Sequence, residues 1–161
     1  MVYLQAKDFD QNGRLTAQLH PGLRYSDVAP KHLLKAGDVL FAAKGTKNFA
    51  AVYEDHNQPA AASTSFFVIR LITGQSLPGF LAWFLNSHPT LSSLKELAKG
   101  TSIPSISKQV LESVVVPLPP LAKQQTILDI SALRKRETSL QMEIETLREK
   151  QIQQLILNAI R

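Results

Sequence analysis

The sequence predicts an α+β protein: a mixed α/β body over residues 1–120, followed by one long C-terminal coiled-coil helix over 121–161. Three observations carry this. Short apolar runs separated by Gly, Pro, Asn and Asp fill the first part. A proline cluster, Pro117-Leu118-Pro119-Pro120, then forces extended backbone and cannot lie inside a helix. Beyond it no Gly or Pro occurs through Arg161, and Leu, Ile, Gln, Glu, Lys and Arg dominate, all good helix formers.

Within the body, Tyr3-Leu4 reads as a short strand and Asn12-Gly13 as a turn. The turn Lys35-Ala36-Gly37-Asp38 feeds the apolar run Val39–Ala43, which predicts a buried strand. Ala50–Tyr53 and Phe66–Leu71 predict two more, the latter with strong β composition. Pro78 through Leu94 predicts a helix whose apolar face holds Phe80, Leu81, Phe84, Leu85 and Leu91, with Pro89 interrupting it. Ser107 predicts the cap of a short helix, Lys108 to Glu112. Val114-Val115-Val116 predicts a final strand.

The last segment carries a stripe in alternating steps of three and four: Ile130, Leu133, Glu137, Leu140, Ile144, Leu147, Gln151 and Gln154. This is a coiled-coil seam with polar interruptions. Near the end the apolar stripe moves to Ile152, Leu155, Ile156 and Ile160. A helix of this length overhangs a small body and calls for a partner. The residues that would pack it are Ile130, Leu133, Leu140, Ile144 and Leu147, against another chain or against a second copy in a homodimer; the alternative is that the helix folds back on its own body.

Composition bounds the function. The chain has 161 residues, 44% hydrophobic and 19% charged, enough to bury a core. It has no cysteine, which excludes a disulfide framework, a cysteine nucleophile and every cysteine-based zinc site. No apolar stretch is long enough for a membrane span, and the acidic start at Asp8 is unlike a signal peptide, so a cytoplasmic location is expected. The net charge is +5, spread as 11 Lys/Arg against 8 Asp/Glu in residues 1–120 and 7 against 5 thereafter. Any nucleic-acid surface must therefore be assembled by folding.

No catalytic constellation stands out. His20, His32, His56 and His88 lack metal-pair spacing, and no Gly-x-Gly-x-x-Gly or P-loop occurs. Ser63 and Ser92-Ser93 have no nucleophile-elbow context. Neither Glu54-Asp55-His56 nor the Glu96–Lys99 pair reads as more than solvated charge. The expectation is a non-catalytic protein with no cofactor and no metal.

Three stretches together resemble the DNA-specificity subunit of Type I restriction-modification systems. They are Leu34–Phe41 with Lys44-Gly45-Thr46; Gly100-Thr101-Ser102 with Ile106 and Leu111; and Val116-Pro117-Leu118-Pro119-Pro120-Leu121 with Gln124 or Gln125 and Ile127. The third is the most specific. The resemblance implies a DNA target recognition domain and a spacer helix, present once here and twice in full-length members, whose two helices pack antiparallel. It implies double-stranded DNA as ligand, an adenine methyltransferase (modification) subunit as partner, and a restriction subunit held through it. Two departures stand out: Ala122-Lys123 precedes the glutamines where an acidic residue is usual, and Lys44 occupies a position often held by arginine. Members also carry a further strand before the segment matched by Tyr3-Leu4.

Read as chemistry, Lys44, Thr46, Lys47 and Asn48 form a basic polar loop after a buried strand, suited to phosphates and base edges. Thr101, Ser102 and Ser105 lead into the short helix, where Lys108 sits in the first turn against the helix dipole. Arg70 ends a strand and is a further DNA-binding candidate, with Arg14, Arg24 and Tyr25 behind it. Two other functions compete: a coiled-coil adaptor that reads no DNA, and an orphan DNA-binding remnant of such a system.

Overall fold

The structure, a computed structural model, describes residues 1–10, 15, 22, 24, 28–45, 47–54, 59–98 and 105–160. It has the expected α+β architecture with a long C-terminal helix. The chain divides into two compact units, Met1–Gln124 and Gln125–Arg161.

The first unit is built around one strand. In chain order it holds β1 (Val2–Leu4), β2 (Val39–Ala42), β3 (Ala50–Val52), β4 (Ala60–Ala62) and β5 (Phe66–Ile69). These form a three-stranded antiparallel sheet, β3-β2-β5, and a parallel pair, β1-β4. All four residues of β2 are fully buried. Successive side chains of a strand point to opposite faces. Val39 and Phe41 enter a core with Leu81, Leu85, Leu94 and Ile106, while Leu40 and Ala42 enter a second with Val2, Leu4, Tyr53 and Phe66. Phe9, Phe49 and Phe66 close the second core as a mutual cluster, with ring centroids 5.5–6.0 Å apart. The predicted turn before β2 is present, and Gly37 adopts φ +87°, open to glycine at no steric cost.

The helices are α1 (Pro78–Leu85), α2 (His88–Leu97), α3 (Lys108–Glu112) and α4 (Leu121–Ala159). The single helix expected over Pro78–Leu94 is two. Pro89 lacks an N–H and its ring clashes with the carbonyl four residues back, that of Leu85, so α1 ends there. Asn86, in the break, also secures a strand edge. Its side chain accepts from the Ala50 N–H at 2.8 Å and donates to the Ala50 carbonyl at 2.7 Å. It thereby pairs the outer edge of β3 as a neighbouring strand would. As expected, Ser107 caps α3, accepting from the Val110 N–H at 3.2 Å.

Two strand expectations need correcting. Val114–Val116 forms no strand. Val114 and Val116 pack on the first core, but Val115 is 87% exposed, and the following prolines cannot donate to a ladder. Conversely, Ala60–Ala62 is a strand that the sequence does not announce. The expected turn at Asn12-Gly13 lies outside the described residues.

Gln124 is the one polar residue of α4 that is fully buried. Its Oε1 accepts from the Leu77 N–H at 2.9 Å, and its Nε2 donates to the carbonyls of Gln75 and Pro119, both at 2.8 Å. The first turn of the helix is thus fastened to the loop before α1 and to the proline segment. Gln125 is exposed and bonds only along its own helix, to Asp129.

Two stability changes are expected. Asn86→Ala strands a buried N–H and carbonyl at Ala50, costing about 1–3 kcal/mol for each unsatisfied group that water does not reach. Gln124→Ala should destabilise the first unit by roughly 2–4 kcal/mol, while Gln125→Ala stays within about 0.5 kcal/mol. Urea unfolding of each variant, compared by midpoint at constant slope, reads both.

Candidate nucleic-acid interface

The two ends of β2 carry different chemistry. At its start, Asp38 is buried and its carboxylate accepts from the Lys35 N–H at 2.8 Å. Arg70, beyond the end of β5, grips the same carboxylate with Nε at 2.7 Å and Nη2 at 2.6 Å. Nη2 also donates to the Leu33 carbonyl at 3.2 Å. The hydrogen bonds to Asp38, aided by its charge, raise the Arg70 pKa above the ordinary arginine value against a weaker opposing effect of burial. The guanidinium stays charged and tied to the sheet end.

At the other end, the chain leaves β2 through Ala43 and Lys44. The Ala43 N–H donates to the Ser65 carbonyl at 2.9 Å, and the Ile106 N–H donates to the Ala43 carbonyl at 2.9 Å. Lys44 and Ser105 form an antiparallel bridge. The loop after β2 and the segment before α3, more than 50 residues apart in sequence, are therefore neighbours in space. Ile106, buried in the first core, anchors the second segment. Asn48 closes the loop from inside, its Nδ2 donating to the carbonyls of Ala42 at 3.0 Å and Ala43 at 3.4 Å.

The loop presents backbone and cations outward. Gly45 adopts φ +112°, and no heavy atom lies within 4 Å of a Cβ built there. Its glycine is needed for conformation, not for space. Lys44 and Lys47 are exposed, and among the described residues neither is in an ion pair. Lys108, also exposed, reaches Glu112 at 3.4 Å, a solvated pair of little energetic weight.

Of the residues singled out from sequence, the structure thus gathers Lys44, Lys47, Asn48 and Ser105 at one end of β2, with Lys108 in the helix that follows. Asn48 spends its amide donors on the loop itself. Arg70 belongs to the opposite end, about 20 Å away along six residues of extended chain between Asp38 and Lys44. Thr46, Thr101 and Ser102 lie outside the described residues, as do Arg14 and Tyr25; Arg24 is exposed. Sequence reasoning missed Ser65, whose backbone holds the loop and whose hydroxyl lies 2.6 Å from that of Ser63. The signal was the hydroxyl triplet Ser63-Thr64-Ser65 between two apolar runs.

Among the described residues no three His, Cys, Asp or Glu side chains cluster as a metal site, and no buried side-chain polar atom lacks a partner. No described helix is long and apolar enough to cross a membrane. The second unit is helix as far as Ala159; α4 has 39 residues, about 58 Å at 1.5 Å per residue. Along it Ile130, Leu133, Leu140, Ile144 and Leu147 are all about half exposed or more.

A two-core α/β body with a basic polar loop surface, continued by a helix with a bare apolar seam, is the build of a binding subunit. The chain belongs to the family described as the Type I restriction modification DNA specificity domain, which matches residues 21–154. Among solved structures it is similar to a chain from work described as "Structural basis underlying complex assembly and conformational transition of the type I R-M system", with a TM-score of 0.70 and 26% identity. The match covers 87% of this chain and 37% of that one, so the chain spans little more than a third of its relative's length. Comparison with curated proteins gives no match.

Proposed function

We propose that this chain is a DNA sequence-recognition subunit of a Type I restriction-modification system, reading one half-site and docking a methyltransferase subunit. Family membership supplies the class. The observation that carries the DNA contact is the meeting of the Lys44–Asn48 loop with the Ser105 segment at one end of β2. The exposed Lys44 and Lys47 offer charge to phosphates, and the glycine-containing loop lets backbone approach closely. Thr46, Thr101 and Ser102, in the same two stretches of sequence, would add hydroxyls for phosphates or base edges. Lys108 would add a third cation. Arg70 would act by fixing the sheet end, since Asp38 and Leu33 already take its Nε and Nη2 donors.

The chain would carry no catalysis of its own. The methyl donor would bind the adenine methyltransferase, and a restriction subunit would join through it, in the cytoplasm. With one recognition unit per chain, a homodimer through α4 would present two units and read a palindromic split site.

Affinity capture of the full chain from its native cells tests the assignment. A stoichiometric adenine methyltransferase supports it, and a clean bait overturns it. For the loop, Lys44→Ala with Lys47→Ala should weaken binding to all DNA sequences alike and flatten the salt dependence by about one unit per lysine. Equal affinity across a salt titration removes the loop from the interface. For the helix, Leu140→Lys should convert the dimer to monomer in light scattering, and an unchanged mass refutes the seam.

A further inference from the structure

Three chain segments meet at the phenylalanine cluster, and each carries an exposed polar residue two positions before its ring. Phe9 lies 5.5 Å from both Phe49 and Phe66, and those two rings are 6.0 Å apart. Ahead of the three rings come Lys7, Lys47 and Thr64, all exposed. Two residues of chain span at most about 7 Å, so all three are tethered to one cluster.

Backbone hydrogen bonds place that cluster at the end of β2 that carries the Lys44–Asn48 loop. The Ala42 N–H donates to the Phe49 carbonyl at 2.8 Å, and Phe66 pairs with Ala42 across the sheet. The turn between β4 and β5 is closed by the Phe66 N–H on the Ser63 carbonyl at 3.0 Å. On one side of this turn the Ser63 N–H donates to the Leu4 carbonyl of β1 at 2.8 Å. On the other the Ser65 carbonyl accepts from the N–H groups of Ala43 at 2.9 Å and Lys44 at 3.4 Å. The turn therefore bridges the segment after β1, which holds Lys7, and the loop after β2. The hydroxyls of Ser63 and Ser65 occupy each other, and Thr64 is exposed between them.

The charge balance at this place is positive. Lys7 is in no ion pair among the described residues. The acids beside it are engaged within the chain: the Asp8 carboxylate accepts from the Gln5 N–H at 2.8 Å, and Asp10 also has a partner. Lys7, Lys44 and Lys47 thus surround one end of the sheet, held by buried rings and backbone bonds, with a hydroxyl among them. Such a set suits the phosphates of a duplex. Residues 1–20 lie outside the stretch that matches the family, so family membership assigns Lys7 no role.

We infer that the N-terminal segment is part of the DNA interface, with Lys7 holding a phosphate and Thr64 donating a hydrogen bond to one, alongside Lys44 and Lys47. The inference rests on the DNA-binding reading and carries its surface across the phenylalanine cluster.

The full chain is titrated with a mixed-sequence duplex over a range of salt concentrations, since phosphate contacts act on any sequence. Lys7→Ala should lower the slope of log affinity against log salt by about 0.9. Thr64→Val keeps the shape and removes the hydroxyl; it should weaken binding roughly 2–10-fold at unchanged slope, because a neutral donor displaces no counterion. Lys35→Ala removes the same charge from an exposed position at the opposite end of β2, and should keep the wild-type slope. An unchanged urea midpoint shows that none of the three acts through folding. A wild-type slope for Lys7→Ala, beside a lowered one for Lys44→Ala with Lys47→Ala, overturns the inference and leaves the loop in the interface. An equal loss of slope in Lys7→Ala and Lys35→Ala also overturns it, because net charge then accounts for the effect. Wild-type affinity in Thr64→Val overturns the hydroxyl contact. A wild-type chain that binds no duplex at low salt overturns the DNA reading and the inference together.

Discussion

Everything in the first unit depends on β2 being buried on both faces. A strand covered on one side needs only one core; one covered on both is the wall between two. Val39 and Phe41 hold the helices on one face, and Leu40 and Ala42 hold the β1-β4 pair and the phenylalanine cluster on the other. Its backbone is satisfied by β3 on one edge and β5 on the other. A strand so enclosed cannot slip register, because a shift by one residue would exchange the two cores' side chains. Its two ends are consequently fixed points. One is fastened by the Asp38–Arg70 pair, and the other offers a loop whose position is set before any ligand arrives.

The same logic governs the exit to the helix. The proline segment has few backbone donors, so its own backbone hydrogen bonds cannot hold it. Gln124 supplies the missing ones, giving a donor to the Pro119 carbonyl while satisfying both an N–H and a carbonyl of the loop before α1. A glutamine is suited to this because its amide carries donor and acceptor together. A glutamate in its place would retain the acceptor and lose the donor for two carbonyls.

Much of the body was legible because its signals were local. The Gly-Asp turn before β2, the Ser107 cap and the run from Phe66 are read from a few adjacent residues. What could not be read depends on partners distant in sequence. Ala60–Ala62 has no β propensity of its own and is a strand because Val2–Leu4 lies beside it. Val114–Val116 has strong β composition and is no strand, since the prolines that follow cannot donate to a ladder. The resemblance to specificity subunits left Gln124 and Gln125 equivalent; only packing separates a fully buried side chain from an exposed one. The pairing of Arg70 with Asp38 was not legible, because the two are 32 residues apart. The neighbouring positions of Lys44 and Ser105 were equally invisible, although each segment stands out separately.

This division between scaffold and loop lets the charge of such a surface change without cost to the fold. The residues that hold the loop in place are backbone groups of Ala43, Ser65 and Ile106, with the Asn48 amide inside. The residues that would meet DNA point outward and contribute nothing to either core. Lys44 and Lys47 can therefore be exchanged for other polar residues without disturbing β2, and surface substitutions of this kind usually move stability by no more than about 0.5 kcal/mol. Gly45 is the exception: its positive φ is a property of the loop's path, and a side chain there would alter the path itself. Contact with DNA and stability would thus rest on different residues of one loop, with Gly45 belonging to both.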